Sequence, residues 1–394
     1  MKTLTTQKNY SRTGLKMKSN WVIKKLGEVC DKASSNVSQN QLDNESGKYS
    51  IFGASGLIKN VSFYHRDKPY ISIIKDGAGI GRLTLQPAYS SVIGTLQYLI
   101  PKKEIDISYL YYFLQRIDFN KHRNGATIPH IYFKDYSEEE IGVPPLATQK
   151  LIVFILDKSF KKIAKAKENA EKNLKNAKEL FDSHLQSVFE NKGKGWEERM
   201  LKEIGITQTG TTPKTIDKKN YGDFIPFITP ADIDISGNGE IQYDSKGLSE
   251  QGLDNGRKML AGSILMVCIG ATIGKVGFID RDVSCNQQIN SLTVKKEFSS
   301  KFIYYALSTK SFFEQVMHNA AQATLPIINK GKWETLIISF PKSLQEQQSI
   351  VSKLDALSAE TKKLEAIYQQ KLKDLEELKK SILQKAFNGE LVKE

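Results

Sequence analysis

The second half of this chain repeats the first. Residues 21–29 resemble residues 196–204 at an offset of 175, with Leu26 matched to Leu201 and Glu28 to Glu203. Gly77-Ala78-Gly79-Ile80-Gly81-Arg82 resembles Gly270-Ala271-Thr272-Ile273-Gly274-Lys275 at 193, and that offset holds onto Tyr111-Tyr112 and Tyr304-Tyr305. Ala126-Thr127-Ile128-Pro129 then pairs with Ala323-Thr324-Leu325-Pro326 at 197. Finally an offset of 198 matches Leu146, Gln149, Ile152, Val153, Leu156 and Asp157 to Leu344, Gln347, Ile350, Val351, Leu354 and Asp355. The same offset matches Leu185, Gln186 and Phe189 to Leu383, Gln384 and Phe387. An ordered series with a slowly drifting offset is hard to obtain by chance, and a period this long means a duplicated domain.

Each repeat has two parts. The first, residues 20–145 and 196–340, alternates short apolar runs with Gly, Pro and Asn, which predicts an α+β (mixed α/β) globular domain. Tyr70-Ile71-Ser72-Ile73-Ile74 and Ser263-Ile264-Leu265-Met266-Val267 read as strands, and residues 108–116 and 300–308 as short helices. The second part, residues 146–195 and 341–394, reads as helical spacer. Val153, Leu156, Phe160, Ile163, Ala170, Leu174, Ala177, Phe181 and Val188 follow 3,4 spacing, interrupted by Lys167 and His184. The matching series is Ile350, Leu354, Leu357, Leu364, Ile367, Leu372, Leu375, Leu378, Ile382 and Ala386.

Helix boundaries are marked as well. Ser343 and Glu346 form a capping box, Pro144-Pro145 and Pro341 sit just upstream of the helix starts, and Gly193 and Gly389 follow the ends. Helices of this length reach roughly 64 Å at 1.5 Å per residue, too far for one small domain to cover. They are expected to pack on each other. With a pseudo-two-fold axis across the pair, they form an antiparallel coiled coil with a globular domain at each end. The C-terminus near Leu391 then returns beside the first domain near Trp21.

Charge points to an anionic partner. Lys and Arg number 57 against 44 Asp and Glu, a surplus of +13. By count, residues 1–195 hold 31 basic and 19 acidic groups and the remainder 26 and 25, so the second half must rely on local patches. Cys30, Cys268 and Cys285 form no CxxC pair or Cys/His cluster, which fits reduced thiols in a cytoplasm and no zinc site. His65, His122, His130, His184 and His318 show no metal-ligand spacing, and His184 reads as a packed or interfacial seam residue. Residues 1–19 are polar and basic without the apolar core of a signal peptide, and read as a flexible tail. No apolar run approaches the ~18 residues of a membrane span.

The order domain–helix–domain–helix carries a resemblance. Gly210-Thr211-Thr212-Pro213-Lys214, Tyr221-Gly222-Asp223-Phe224-Ile225-Pro226-Phe227-Ile228, Asp232-Ile233 and Cys285-Asn286-Gln287-Gln288-Ile289-Asn290 contribute to it. So do the helix openings Pro145-Leu146-Ala147-Thr148-Gln149 and Leu344-Gln345-Glu346-Gln347. Together with the second glycine loop, these make residues 20–394 similar to the specificity subunits of type I restriction-modification systems. The first domain departs from that pattern, being shorter by 18 residues ahead of its glycine loop and lacking the Gly-Thr-Pro segment.

The resemblance implies two target-recognition domains, each reading one half of a split double-stranded DNA site. It implies helices that set the unread gap, and two methyltransferase subunits docked on them. S-adenosylmethionine, ATP and magnesium belong to the partner subunits, motor-nuclease subunits being a further possible partner, and this chain binds no cofactor. The two domains differ between their shared anchors, so the site is expected to be asymmetric.

Some residues could meet DNA directly. Lys75, Arg82, Lys214 and Lys275 either reach phosphate or are solvated charges. His122, Arg123 and Asn124 form a basic polar run, and Gln287, Gln288 and Asn290 are amides of the kind that pair with adenine. Gln322 and Thr324 precede the repeated proline; for all of these, ordinary loop structure is the competing reading. The glycine loops lead into extended segments rather than helices, which favours a tight turn over a dinucleotide cradle. The paired tyrosines at 111–112 and 304–305 read as core. No catalytic residue is assigned: Phe52-Gly53-Ala54-Ser55-Gly56 is not a methyl-donor loop, Val143-Pro144-Pro145 is not an adenine methyltransferase motif, and Asp232 with Glu240 lacks the lysine of a nuclease centre. Two other readings stand beside DNA recognition: a coiled-coil scaffold, and a nuclease or methyltransferase with an unfamiliar site.

Overall fold

The structure, a computed structural model, describes residues 21–125, 127–233, 239–321 and 325–392. Residues 1–20, where the tail is expected, lie outside them, as do Gln322 and Thr324. The chain divides into two compact units, residues 1–171 with 370–394, and residues 172–369. Each unit holds one globular domain and a part of each long helix.

The first unit opens with strand Val22–Lys25 paired antiparallel to Glu140–Val143, a ribbon that delivers the chain to the first long helix, Leu146–Glu190. A four-stranded antiparallel sheet runs in the order Cys30–Ser34, Leu96–Pro101, Tyr70–Ile74, Leu83–Gln86. Tyr70–Ile74 is central and buried on both faces, which is why it reads as an apolar run broken only by Ser72, whose hydroxyl is bonded to Gln86. A smaller sheet joins Gly56–Val61, Tyr49–Gly53 and Ser90–Val92, the last two parallel. Helix Ile107–Leu114 starts at Asp106, whose carboxylate accepts from Ser108 N and Tyr109 N at 2.9 and 3.0 Å.

The second unit repeats this plan. Trp196–Met200 pairs with Ile337–Pro341 ahead of the second long helix, Leu344–Phe387. Its main sheet runs Gly205–Thr209, Ile289–Val294, Ile264–Val267, Val276–Phe278, the same order as in the first unit. Register repeats too: Ile71 faces Leu99, and Ile264 faces Leu292. A single 3-10 turn, Phe119–His122, becomes the ten-residue helix Lys310–Asn319, which was not predicted. That insertion accounts for the step in offset from 193 to 197.

The long helices are built into both cores. In the first unit Ile152 and Leu156 join Leu383, Ala386 and Phe387 around Leu26, Ile71, Leu99 and Leu110. In the second, Leu185, Phe189 and Leu354 pack with Leu201, Ile264, Leu292 and Phe302. A buried glutamine ties each helix start to its domain. Gln149 accepts from Asp106 N at 2.8 Å and donates to the Glu104 and Pro144 carbonyls. Gln347 accepts from Ser299 N at 2.8 Å and donates to the Pro341 carbonyl. The helix opening at Ser343 caps Glu346 N as expected.

Within the first unit the helices run antiparallel: Lys379 lies over the Phe160 ring, and Lys167, one interruption in the seam, pairs with Glu376 at 2.7 Å. Leu156 and Leu354 are buried, while Val153, Phe160, Ile163, Leu174, Phe181, Leu357, Leu372, Leu375 and Ile382 are half-buried. The seam expectation fails at three positions. Leu364, Ile367 and Leu378 are exposed, while small Ala170, Ala177 and Thr361 are buried midway along these helices. His184 is exposed rather than packed, the buried line passing instead through Leu185. Gly389 takes the left-handed conformation after its helix (φ +77°), but after the first helix Gly195, not Gly193, does so (φ +92°). No helix among the described residues is long and apolar enough to cross a membrane.

Candidate nucleic-acid interface

The two glycine loops adopt one geometry. Gly77 and Gly81 have φ of +96° and +80°, and Gly270 and Gly274 +100° and +88°. Each loop folds back on its own strand, Gly81 N donating to Ile74 O and Gly274 N to Val267 O. A Cβ on Gly81 would strike the Phe119 ring, and one on Gly274 the Phe313 ring. The loops lead into strands Leu83–Gln86 and Val276–Phe278 rather than helices, and the amides of Ile80, Gly81 and Arg82, like those of Ile273, Gly274 and Lys275, bond within the loop and to the preceding strand, the pattern of tight turns rather than of phosphate cradles.

Against each loop sits the repeated proline segment. Gly77 N donates to Pro129 O at 2.9 Å and Gly270 N to Pro326 O at 3.0 Å. Ile131 N reaches Lys75 O and Ile328 N reaches Cys268 O, both at 3.0 Å. Asn124 and His130 exchange two backbone bonds of 2.8 Å, and Ala321 N donates to Ile327 O at 2.8 Å. The first domain thus carries a short braced hairpin with Ile128 exposed on it, and in the second domain Leu325 is exposed within the matching segment beside the Ala321–Ile327 bridge.

The candidate contacts sort by what their side chains already do. Arg123 and Lys214 are exposed cations, and Arg82 is exposed with one light bond to Ala54 O at 3.3 Å. Lys75 pairs with Asp76 at 2.5 Å, and Asp76 also takes the His130 ring, so that charge is largely neutralised. Lys275 is half-buried and reaches Ile233 O at 3.4 Å. His122 is engaged with Glu139 at 3.2 Å and edge-on to Tyr136. Asn124 spends its amide on His122 O and Asp135, so both residues hold loop structure. Gln287 is exposed and accepts from the Thr212 hydroxyl, while Gln288 accepts from Asn286 at 3.0 Å. Asn290 is a correction: it is 2% exposed and accepts from Thr209 at 2.8 Å, because its strand position points it into the sheet interior.

Residues considered for catalysis are also accounted for. Asp232 is buried and accepts from Thr229 N and Oγ1 at 2.8 and 2.6 Å and from Ser245, which makes it a loop-capping group. Glu240 pairs with Lys362 at 3.2 Å. Tyr112 donates to Asp157 and Tyr305 to Asp355, tying each domain to a helix, and burial together with that carboxylate pushes both phenols up. Burial pushes the thiols of Cys30, Cys268 and Cys285 up to about 12, the behaviour of packing residues rather than nucleophiles.

Known proteins place this arrangement in context. The family described as the type I restriction modification DNA specificity domain matches residues 18–174 and 193–375, one copy over each repeat. The EcoDI specificity subunit of Escherichia coli is 22% identical over 95% of this chain and 90% of its own length. The MjaIX subunit of Methanocaldococcus jannaschii and the HindI subunit of Haemophilus influenzae are each 28% identical, over 41% and 50% of this chain. The chain spans only 37% and 42% of the lengths of those two. Among solved structures, a chain from a study of assembly and conformational transition of the type I R-M system superposes with a TM-score of 0.76 at 17% identity, covering 95% of this chain and all of that one. The HsdS subunit of Thermoanaerobacter tengcongensis gives 0.58 at 18%, covering 95% and 98%.

Proposed function

This chain belongs to the type I restriction-modification DNA specificity family, and from that premise we propose that it is the non-catalytic subunit that chooses where a DNA adenine methyltransferase acts. The observation that carries this reading is the pairing of one specificity domain with each structural repeat. Each globular domain reads one half of a split, asymmetric site on double-stranded DNA. Linking two readers raises the effective concentration of the second once the first is engaged. Exposed Arg82, Arg123 and Lys214 supply phosphate contacts that position, while base edges supply choice.

The two long helices set the unread gap and receive two methyltransferase subunits, and motor-nuclease subunits complete a restriction complex. S-adenosylmethionine, ATP and magnesium are held by those partners. The working compartment is the cytoplasm, where three buried free thiols stay reduced.

A long-read adenine-methylation map of cells carrying this chain with its methyltransferase partner tests the reading. The expected result is a two-part motif with a fixed gap that disappears when this chain is removed. An unchanged pattern in an active system would overturn it and favour a coiled-coil scaffold.

A further inference from the structure

We propose that Ile128 and Leu325 are paired apolar groove contacts, one for each half-site, an inference that rests on the DNA-reading role above. The two residues occupy the same place in the two repeats, each immediately before the proline whose carbonyl is bonded to the glycine loop. Both are aliphatic and both are largely exposed, at 68% and 53%. A branched aliphatic side chain left in water gains nothing for the fold. Here that arrangement occurs twice, although the sequences between the shared anchors differ.

The backbone flanking both side chains is tied down. In the first unit the hairpin is closed by the two Asn124–His130 backbone bonds, Gly125 makes the turn at φ +83°, and Pro129 and Ile131 are bonded to the glycine loop and its strand. In the second, Ala321, Pro326 and Ile328 make the matching bonds. A side chain whose flanking backbone is already bonded in place loses less ordering entropy on binding.

The surroundings select the partner. The first segment continues a run containing exposed Arg123 and carries Tyr132, whose ring stands 4.1 Å from that of His130. Beside the second, the Gln288 amide lies next to Gly270. A protein interface requires a contiguous apolar patch of a few hundred Å². A small aliphatic surface with a cation in the same run in the first unit and an amide beside it in the second suits a duplex groove, where it meets a thymine methyl or wedges against a base step.

The test uses the full chain assembled with its methyltransferase partner, on the duplex identified by methylation mapping. Ile128→Ser and Leu325→Ser are each expected to weaken target binding by about tenfold through lost apolar burial. The slope of log affinity against log salt stays at the parent value, because no phosphate contact is removed. Arg123→Ala, by contrast, makes that slope shallower. Each serine variant relaxes the methylation motif in one half-site only, and Ile128→Val and Leu325→Met stay within about twofold of the parent. Serine variants that bind and select as the parent does would overturn the proposal. So would a loss traced by sedimentation to failed assembly with the methyltransferase, which makes the two side chains protein contacts. A parent complex that cannot tell target from scrambled duplex removes the DNA-reading role itself, a failure visible before any variant is made.

Discussion

Gly274 shows how one residue fixes the loop on which the second proline segment rests. Its φ of +88° is costly for any side chain, and a Cβ there would overlap the Phe313 ring. Gly262 shares the strained backbone (φ +81°) but has open space around it. Gly274→Ala is therefore expected to cost about 2–4 kcal/mol, combining backbone strain with overpacking, and Gly262→Ala about 1 kcal/mol. Urea denaturation of the two variants measures the difference; equal losses would show that Phe313 simply moves aside. The paired glycines were legible in sequence because they recur at one offset. The fate of neighbouring polar groups was not. His122, Asn124 and Asn290 have the chemistry of DNA contacts, yet their hydrogen bonds go to Glu139, Asp135 and Thr209. Composition cannot say whether a polar side chain already has a partner. Exposed Ile128 and Leu325 leave a trace in the repeated Ala-Thr-x-Pro, but only solvent exposure distinguishes them from core residues.

At the scale of elements, heptad spacing located both long helices and missed which residues lie deepest along them. A helix drifts by about 20° per heptad against a 3.5-residue repeat, so a fixed stripe does not stay buried over 45 residues. Midway, the deepest positions are Ala170, Ala177 and Thr361, while Leu364 sits outside at 37% exposure. Large apolar residues dominate a sequence reading, and small ones that permit close approach are easily passed over. Leu156→Ala is expected to lose about 2–5 kcal/mol because it empties a filled core position. Leu364→Ala should change stability by less than about 0.5 kcal/mol. Comparable losses in chemical denaturation would show that Leu364 is covered in the native protein. The sheet pairings were less legible than the helices. Parallel pairing of Tyr49–Gly53 with Ser90–Val92 joins segments nearly forty residues apart in sequence, and no local pattern encodes it.

For the whole molecule, the repeat makes a prediction about length. The compact units divide the helices at residues 171/172 and 369/370, and these divisions are themselves separated by the 198-residue offset of the repeat. Removing residues 169–175 together with 367–373 therefore excises matched segments centred on both divisions. Seven residues make nearly two helical turns, so in each helix the residues on either side of the deletion keep their facing within about 20°. The helix pair shortens by about 10 Å at 1.5 Å per residue, close to three base pairs at about 3.4 Å each. If the helices act as the ruler, methylation mapping of the deleted form returns both half-sites unchanged with an unread gap shorter by about three base pairs. An unchanged gap would mean that the spacing is set by the docked methyltransferases or by DNA bending. Loss of one half-site alone would mean that the helix faces, and not only their length, orient the reading domains.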